Sequence, residues 1–266
     1  MSFSIAGKTA IITGAANGIG LAVARAFADR GANVVLADMD DAQLAKEVGD
    51  FPDSSNVIHF AGDLRERLTI ANLLSATVDA FERVDILVNA SRQILMTDPL
   101  DMDDDSVETM LGQNLMTSLR LSQAVAKRMI KQAEDDGDGS AGAIVNLSSI
   151  AACRTHPQLM GYSMATAALD QMTRGLATAL AEHQIRVNAV AIGSVMSASM
   201  QNTLRENPEY RKSIEENTLL GRIAPAAEVT DTVRYLASDA AGFVTGQVIT
   251  VDGGRTLIDP VQTPVH

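Results

Sequence analysis

Short apolar segments alternate with longer amphipathic segments along almost the whole chain. The first apolar segments cover residues 9–12, 33–37 and 57–61, and helical patterns separate them. Strands that are apolar throughout are typical of a sheet buried on both faces, and parallel neighbours need a helical crossover between them. The alternation therefore predicts an α/β fold: one doubly wound, Rossmann-type domain with a parallel sheet of about seven strands and helices on both faces.

The sequence gives no sign of a second domain. Its 266 residues contain no internal repeat and no linker, and the acidic, glycine-rich stretch 134–140 is interpreted as a solvated loop. We therefore assign residues 1–258 to a single domain and residues 259–266 to a tail that is extended or packs on a neighbour. Residues 196–217 are polar and mixed, a pattern that predicts a mobile helical segment covering the substrate.

The composition argues against several kinds of partner. A net charge of −12 is unfavourable for binding a nucleic acid or an anionic membrane surface. No segment approaches the roughly 18 consecutive apolar residues of a membrane span, and the first residues lack the features of a secretory signal. The expected location is therefore the cytoplasm. One cysteine and four scattered histidines predict no disulfide and no metal site.

A glycine-rich segment, residues 13–20, lies between the first predicted strand and the first predicted helix. Glycines at such a junction permit a tight turn and let main-chain amides approach a pyrophosphate at the helix N-terminus. The spacing alone also fits an ordinary glycine-rich turn, but its place in a strand–turn–helix unit favours a dinucleotide site. The predicted contacts are Gly14, Asn17, Gly18, Ile19 and Gly20.

An aspartate, Asp38, ends the second predicted strand, 18 residues after Gly20. A carboxylate there accepts hydrogen bonds from the hydroxyls of an adenosine ribose and repels a 2′-phosphate. No arginine or lysine adjoins Asp38 in the sequence. NAD is therefore favoured over NADP as the cofactor. The alternative role for Asp38 is a helix N-cap, which Asp40 or Asp41 can supply instead.

Further motifs are distributed along the rest of the chain. Besides residues 13–20 they are Asp63-Leu64, Asn89-Ala90, Asn114, residues 146–149, Tyr162, residues 186–188 and residues 251–254. Together they resemble the short-chain dehydrogenase/reductase family over essentially the whole length, and within it the 3-oxoacyl-acyl-carrier-protein reductase-like and cyclic-alcohol dehydrogenase members.

The resemblance implies further cofactor contacts, which follow the ends of successive strands. They are Asp63 and Leu64 for the adenine, Asn89, Ala90 and Ser91 for the ribose and the central sheet, and Val195 and Ser197 for the nicotinamide carboxamide, with Tyr162 beside the cofactor.

The resemblance also implies a reaction. In the family a tyrosine is the general acid or base on a carbonyl or alcohol oxygen, a serine hydrogen-bonds that oxygen, and an asparagine anchors a proton-relay water. Tyr162, Ser149 and Asn114 match these roles, and Ser149 precedes Tyr162 by the family's 13 residues. Singly, each also fits a structural role; their common register favours catalysis. A small secondary alcohol or ketone is then the expected substrate. Members of the family are commonly oligomers, so the resemblance also implies a homo-oligomer, a tetramer or a dimer.

One catalytic position departs from the family pattern. Thr166 stands four residues after Tyr162, on the same helix face, where the family has a lysine. A cation about 4 Å from the phenol in a partly screened site is worth roughly 4 kcal/mol, or about three pKa units. Its absence is expected to cost on the order of 10²–10³ in rate. The Thr166 hydroxyl is expected to bond back to the Tyr162 carbonyl.

The loop after the fourth strand carries a second departure. Ser91 stands where the family has glycine, and Arg92 follows it. Arg92 is expected to point toward the cleft, and three roles stay open for it: replacing the missing cation, binding a substrate carboxylate, or lying solvated in the loop. A third departure is Ile192, which stands where the family has proline.

Three functions are compatible with these residues. The favoured hypothesis is an NAD-dependent oxidoreductase for a small alcohol or ketone, impaired or atypical because the lysine is absent. The second is a cofactor-binding structural subunit or sensor without turnover. The third, least favoured because Gly14, Gly18, Gly20 and Asp38 are kept, is a cofactor-free elimination enzyme.

Overall fold

The computed structural model describes residues 2–51, 56–136 and 142–259. The end of the acidic stretch 134–140 and the tail beyond Asp259 lie outside these ranges, so the interpretations of both stay predictions.

Seven of the strands form one parallel sheet. The strands are β1 (Thr9–Thr13), β2 (Asn33–Asp38), β3 (Val57–Ala61), β4 (Ile86–Asn89), β5 (Gly142–Ser149), β6 (Ile185–Ile192), β7 (Val195–Met196), β8 (Ala224–Pro225) and β9 (Val248–Val251). The large sheet has the order β3-β2-β1-β4-β5-β6-β9, and β7 pairs separately with β8. This arrangement confirms the predicted doubly wound α/β fold and its seven-stranded sheet.

Helices connect the strands and cover both faces of the sheet. They are α1 (Gly18–Ala28), α2 (Asp41–Gly49), α3 (Arg67–Phe81), α4 (Ser106–Met110), α5 (Thr117–Asp136), α6 (Met160–Leu180), α7 (Ala198–Glu206), α8 (Pro208–Glu216) and α9 (Ala226–Ala237). In the parts of the chain that the structure describes, none of them has the length and apolar character needed to cross a membrane.

The strands contribute alternate side chains to two cores. Ile12 faces the core formed with α1, α2 and α9, whereas Ile11 faces the core formed with α3, α5 and α6. Successive strand residues point to opposite faces, so a strand covered by helices on both sides is apolar at almost every position. This is the physical basis of the continuous apolar segments in the sequence.

The strand order reverses direction between β1 and β4, which are neighbours in the sheet. The chain passes from β1 outward to β2 and β3, and then returns to β4 and continues the other way. Loops that leave the carboxyl ends of two such strands diverge to opposite faces and leave a crevice between them. The candidate site lies in this crevice.

Candidate active site

The turn between β1 and α1 has a backbone form that requires glycine. Gly14 and Gly18 have φ angles of 65° and 59°, a left-handed conformation that disfavours any side chain. A Cβ on Gly14 would lie 2.8 Å from the Cα of Ser91, and one on Gly20 would lie 2.2 Å from the carbonyl oxygen of Gly14. The turn is therefore packed against its own helix and against the loop after β4.

The N-terminus of α1 presents main-chain donors at this turn. Its N-cap residue, Asn17, makes no side-chain hydrogen bond to the first amides of the helix. Unpaired N–H groups and the positive end of the helix dipole favour an anion at such a position. The turn can therefore bind a phosphate-bearing ligand through its backbone.

Thr13 joins the two loops that border the crevice. Its Oγ1 accepts hydrogen bonds from the backbone N–H groups of Ala90 and Ser91, each at 3.0 Å. The end of β1 and the loop after β4 are thus held at a fixed separation.

Asp38 occupies the carboxyl end of β2. One carboxylate oxygen accepts a hydrogen bond from the Ala16 N–H at 3.2 Å, and the other accepts one from the Met39 N–H at 2.7 Å. Asp40 caps α2 by accepting from the Gln43 N–H at 3.0 Å. The prediction that Asp38 is not needed as the helix cap is therefore confirmed.

A second carboxylate, Asp63, follows β3 and is paired with Arg65. The Arg65 guanidinium donates to both carboxylate oxygens at 2.6–2.9 Å. These hydrogen bonds lower the pKa of Asp63, and partial burial opposes them. Asp63 is therefore ionised near neutral pH with its charge balanced by a neighbour.

These loops enclose a cleft of about 660 Å³ along the carboxyl edge of the sheet. The predicted cofactor residues that line it are Gly14, Asn17, Gly18, Ile19, Gly20, Asp38, Asp63, Leu64, Ala90, Ser91 and Ser197. The lining residues do not include Asn89, Val195 or Tyr162.

Asn89 lies inside the sheet, where it joins a buried polar network. Its Nδ2 donates to Asn146 Oδ1 at 2.8 Å and to Ser122 Oγ at 3.0 Å. The Asn146 Nδ2 in turn donates to Thr173 Oγ1 at 2.9 Å. A buried amide network with paired members fixes the elements that it joins. Asn89 therefore acts on the cleft through the positions of β4, β5, α5 and α6.

Tyr162 lies in an apolar cluster at the start of α6 and is only 4% exposed. The other members of the cluster are Met110, Ala151 and Ala165, with the partly buried Leu95, Leu111 and Leu159 packed against them. None of these side chains carries a charge.

Thr166 is buried one turn after Tyr162. Its Oγ1 donates to the carbonyl oxygens of Tyr162 at 2.9 Å and Ser163 at 3.1 Å, which confirms the expected back-bond. The hydroxyl is satisfied within its own helix and supplies no charge to the phenol.

Ser149 ends β5 and begins a short 3₁₀ turn, Ile150–Ala152. Its Oγ accepts a hydrogen bond from the Ala151 N–H at 3.1 Å. Among the residues that the structure describes, no hydrogen bond joins Ser149 to Tyr162.

Asn114 lies in a π-helical segment, Leu111–Met116, that separates α4 from α5. The Asn114 amide accepts from the Gln93 N–H and donates to the Gln93 carbonyl, both at 2.8 Å. The π segment thus places Asn114 where it binds the loop after β4, and such segments are frequent at functional sites.

The chain matches a family profile described as enoyl-(acyl carrier protein) reductase over residues 14–256. This protein belongs to the short-chain dehydrogenase/reductase family. The matched residues run from the glycine turn to the loop after β9, so the sequence-based resemblance to the family is confirmed and the protein is an oxidoreductase of that family.

Individual relatives of this short-chain dehydrogenase/reductase agree in length and in fold. Galactitol 2-dehydrogenase (L-tagatose-forming) of Cereibacter sphaeroides is 35% identical over 96% of this chain and 97% of its own. The 3-oxoacyl-[acyl-carrier-protein] reductase FabG of Thermotoga maritima is 34% identical over 94% and 98%. A 7α-hydroxysteroid dehydrogenase, solved with NADH and 7-oxo glycochenodeoxycholic acid, superposes with a TM-score of 0.86 at 28% identity, covering 95% of each chain.

Several lining residues of this short-chain dehydrogenase/reductase were not proposed from the sequence. They include Met39, Arg65, Gln93, Ile94, Gln113 and Leu147. Arg65 offered a signal, because an opposite charge stands two residues after Asp63. Gln93 offered none, because the bonds that place it use its main chain.

Proposed function

We propose that the protein is an NAD(H)-dependent oxidoreductase that interconverts a small secondary alcohol and the corresponding ketone. Tyr162 is the general acid or base and Ser149 the second hydrogen-bonding group, in a site slowed by the absence of a cation at Thr166. The observation that carries the proposal is the single cleft bordered by both the glycine turn and Asp38. We further propose that the protein is cytoplasmic and homo-oligomeric.

The residues of the cleft fit an adenine dinucleotide. The backbone of Gly14 and Gly20 leaves no space for a Cβ, while the first amides of α1 donate no hydrogen bond to the N-cap side chain. These features suit a diphosphate at the helix N-terminus. Asp38 accepts one hydrogen bond on Oδ2 and two on Oδ1, so its carboxylate has a remaining lone pair for a ribose hydroxyl, and Arg65 is committed to Asp63. Both features favour NAD over NADP.

The proposed chemistry uses few groups of the chain. The nicotinamide, when bound, accepts or supplies the hydride. Tyr162 then moves a proton to or from the substrate oxygen. The hydrogen bond from the Ala151 N–H occupies one lone pair of Ser149 and leaves the serine O–H free to donate to that oxygen. Asn114 holds the loop at Gln93, which lines the cleft.

Binding and turnover test the proposal separately. Calorimetric titration with NADH and NADPH is expected to show tighter binding of NADH. A panel of secondary alcohols and ketones is then expected to show slow turnover. In Tyr162→Phe we expect turnover to fall at least about 100-fold while NADH affinity changes little, because only the proton-transfer group is removed. Unchanged turnover in that variant would exclude Tyr162 as the acid or base.

A second candidate is a protein that binds the dinucleotide without turnover. Two observations favour it: the cluster around Tyr162 contains no charged side chain, and Thr166 is hydrogen-bonded within its helix. It predicts NADH affinity with no activity on the same panel, so measurable turnover that depends on Tyr162 excludes it. A cofactor-free elimination is the third candidate, and NADH affinity in the titration argues against it.

A further inference from the structure

One charged side chain of the cleft has no role in the function proposed above. Arg92 follows β4, lines the cleft and is exposed. Among the described residues its guanidinium has no hydrogen bond and no ion pair, whereas Arg65, the other arginine of the lining, is bound to Asp63.

The backbone holds Arg92 in place from both sides. The preceding N–H, of Ser91, donates to Thr13 Oγ1 at 3.0 Å. The following residue, Gln93, is bound at both its N–H and its carbonyl by the Asn114 amide. Leu95, two residues further on, packs against the Tyr162 cluster. Arg92 therefore projects from a fixed loop that connects the dinucleotide turn with the tyrosine.

The charges along the cleft are divided between its ends. Asp38 ends β2 and Asp63 follows β3, and both strands lie on the side of β1 away from β4. The lining residues that follow β4 in the chain are Ala90, Ser91, Arg92, Gln93, Ile94, Gln113, Leu147 and Ser197. Arg92 is the one charged side chain of that set. The Gln113 amide, which donates to Ser91 Oγ at 3.4 Å, adds a neutral donor to the same wall.

The acidic loop that follows in sequence does not neutralise Arg92. Asp98 accepts from the Leu100 N–H at 3.0 Å, and Asp104 accepts from the N–H groups of Asp98 and Ser106 at 2.7 Å. These carboxylates are engaged in the turns of their own loop.

We propose that Arg92 is a specificity-determining residue and that the substrate is an anion: a short hydroxy acid, or the oxo acid formed from it, whose carboxylate pairs with the guanidinium. This inference rests on the proposed function, since it names the substrate class of the same site. A guanidinium binds a carboxylate through two parallel N–H groups, so it supplies orientation as well as attraction. In a chain of net charge −12, a local cation also offsets the repulsion of an anionic substrate.

The dinucleotide diphosphate is the other anion that Arg92 could bind. The α1 N-terminus already presents main-chain donors for it, and the turn is fixed by Gly14 and Gly20. The structure therefore favours the substrate as the partner of Arg92, and cofactor affinity serves to separate the two.

The test compares short 2- and 3-hydroxy acids, 3-hydroxybutyrate among them, with their methyl esters in the presence of NAD⁺. The wild type is expected to prefer the acids. In Arg92→Gln we expect kcat/KM for an acid to fall roughly 10- to 100-fold, mainly through KM, and kcat/KM for its ester to change less than about 3-fold. Arg92→Lys is expected to recover part of the preference, because it keeps the charge but loses the planar pair of donors.

Two controls make the outcome specific. Arg30→Gln removes an equal charge from an exposed position just after α1, outside the cleft lining, and is expected to leave the acid preference unchanged. NADH affinity is measured in every variant and is expected to stay within about 2-fold in Arg92→Gln, because the proposed pair involves the substrate.

The outcomes separate this inference from the function on which it rests. Equal use of acids and esters by the wild type, or an acid preference that survives in Arg92→Gln, overturns the role of Arg92. If Arg92→Gln loses NADH affinity as strongly as it loses kcat/KM for the acid, the guanidinium binds the cofactor, and the proposed role of Arg92 in substrate binding is overturned. If no alcohol is oxidised, titration of the NADH-loaded protein with acetoacetate and its methyl ester gives the same comparison through binding. Absence of NADH binding in the wild type removes the proposed function itself.

Discussion

The glycine turn and the region around Tyr162, called here the dinucleotide end and the tyrosine end of the candidate site, are built in different ways. At the dinucleotide end, main-chain atoms pack against main-chain atoms: Gly20 against Gly14, and Gly14 against Ser91. At the tyrosine end, individual side chains define the site. Three buried side-chain oxygens without a hydrogen-bond partner among the described residues, Ser148 Oγ, Ser163 Oγ and Asp170 Oδ1, lie on β5 and α6, the elements that carry Ser149 and Tyr162.

This difference indicates which end tolerates amino-acid substitution. A backbone contact leaves no room for another residue, so the glycine turn cannot drift without loss of the packing around it. The position of Thr166 is constrained far less. Its hydroxyl is satisfied within its own helix, so the fold does not require a cation there. A change of residue at this position can therefore persist at the tyrosine end without disturbing the packing of the glycine turn.

The largest effect is expected when a side chain is added to the glycine turn. In Gly20→Ala the new Cβ would meet the Gly14 carbonyl oxygen at 2.2 Å, a backbone atom that cannot move without displacing β1. We expect the free energy of unfolding to fall by about 3 kcal/mol and NADH affinity to fall at least about 100-fold. Chemical denaturation and calorimetric titration measure the two effects.

The matched control is Gly49→Ala, at the end of α2, where an added Cβ meets nothing within 4 Å. It is expected to change neither quantity by more than about 0.5 kcal/mol. A folded Gly20→Ala protein with unchanged NADH affinity would contradict the view that backbone packing defines this end.

Supplying the cation should have the next largest effect. In Thr166→Lys we expect kcat to rise roughly 30- to 100-fold, because an ammonium beside Tyr162 favours the phenolate. Thr166 is only 3% exposed, so the larger side chain is also expected to reduce the free energy of unfolding by about 1–3 kcal/mol. Steady-state kinetics and thermal unfolding give the two results.

Thr166→Met separates charge from size, since it adds a long side chain without a cation. It should lose stability to a similar degree and gain no rate. Equal rates in the lysine and methionine variants would mean that electrostatics at this position do not limit the reaction.

The sequence predicted the residues that line the cleft around the glycine turn more fully than the surroundings of Tyr162, for a physical reason. The positions of glycines such as Gly14 and of a strand-end carboxylate such as Asp38 depend on residues nearby in the sequence, so a short motif predicts them. The π segment around Asn114 and the partners of Asn89 depend on contacts between distant elements. Residue types alone could not show them.

A substitution at Asp38 is expected to have an intermediate effect, on the affinity for NADH and NADPH. In Asp38→Asn the acceptor geometry is kept while the negative charge is lost. We expect NADH affinity to fall roughly 10-fold and NADPH affinity to rise, because a charge-assisted hydrogen bond is weakened and the repulsion of the 2′-phosphate is removed. Titration with both dinucleotides measures the change in preference.

Asp40→Asn removes the same charge two residues away. Asparagine is an equally good N-cap, so this variant should retain the wild-type preference for NADH. If the two variants shift the preference equally, general electrostatics rather than contact with Asp38 sets it.

The smallest expected effect concerns Asp170 on α6, whose Oδ1 is buried without a hydrogen-bond partner among the described residues. Burial raises the pKa of Asp170, and the Arg174 charge offsets only part of this effect. A raised pKa means that folding favours the protonated carboxyl. The protonated Asp170 carboxyl therefore adds to the free energy of unfolding. This contribution is fully present below the ordinary pKa of 3.8 and is lost as the pH rises through the pKa of the folded state. Ionised Asp170 therefore costs stability at neutral pH.

Asp170→Asn should remove that cost. We expect the free energy of unfolding to increase by about 1 kcal/mol at pH 7.5, because the uncharged amide is cheaper to bury than the carboxylate. The gain should shrink as the pH approaches 4, where the wild-type carboxyl is increasingly protonated. Asp79→Asn, at an exposed position of α3, should change stability by less than about 0.5 kcal/mol at either pH. Urea unfolding of both variants at two pH values checks the sign. If the gain in the free energy of unfolding does not depend on pH, burial of the Asp170 charge is not its source.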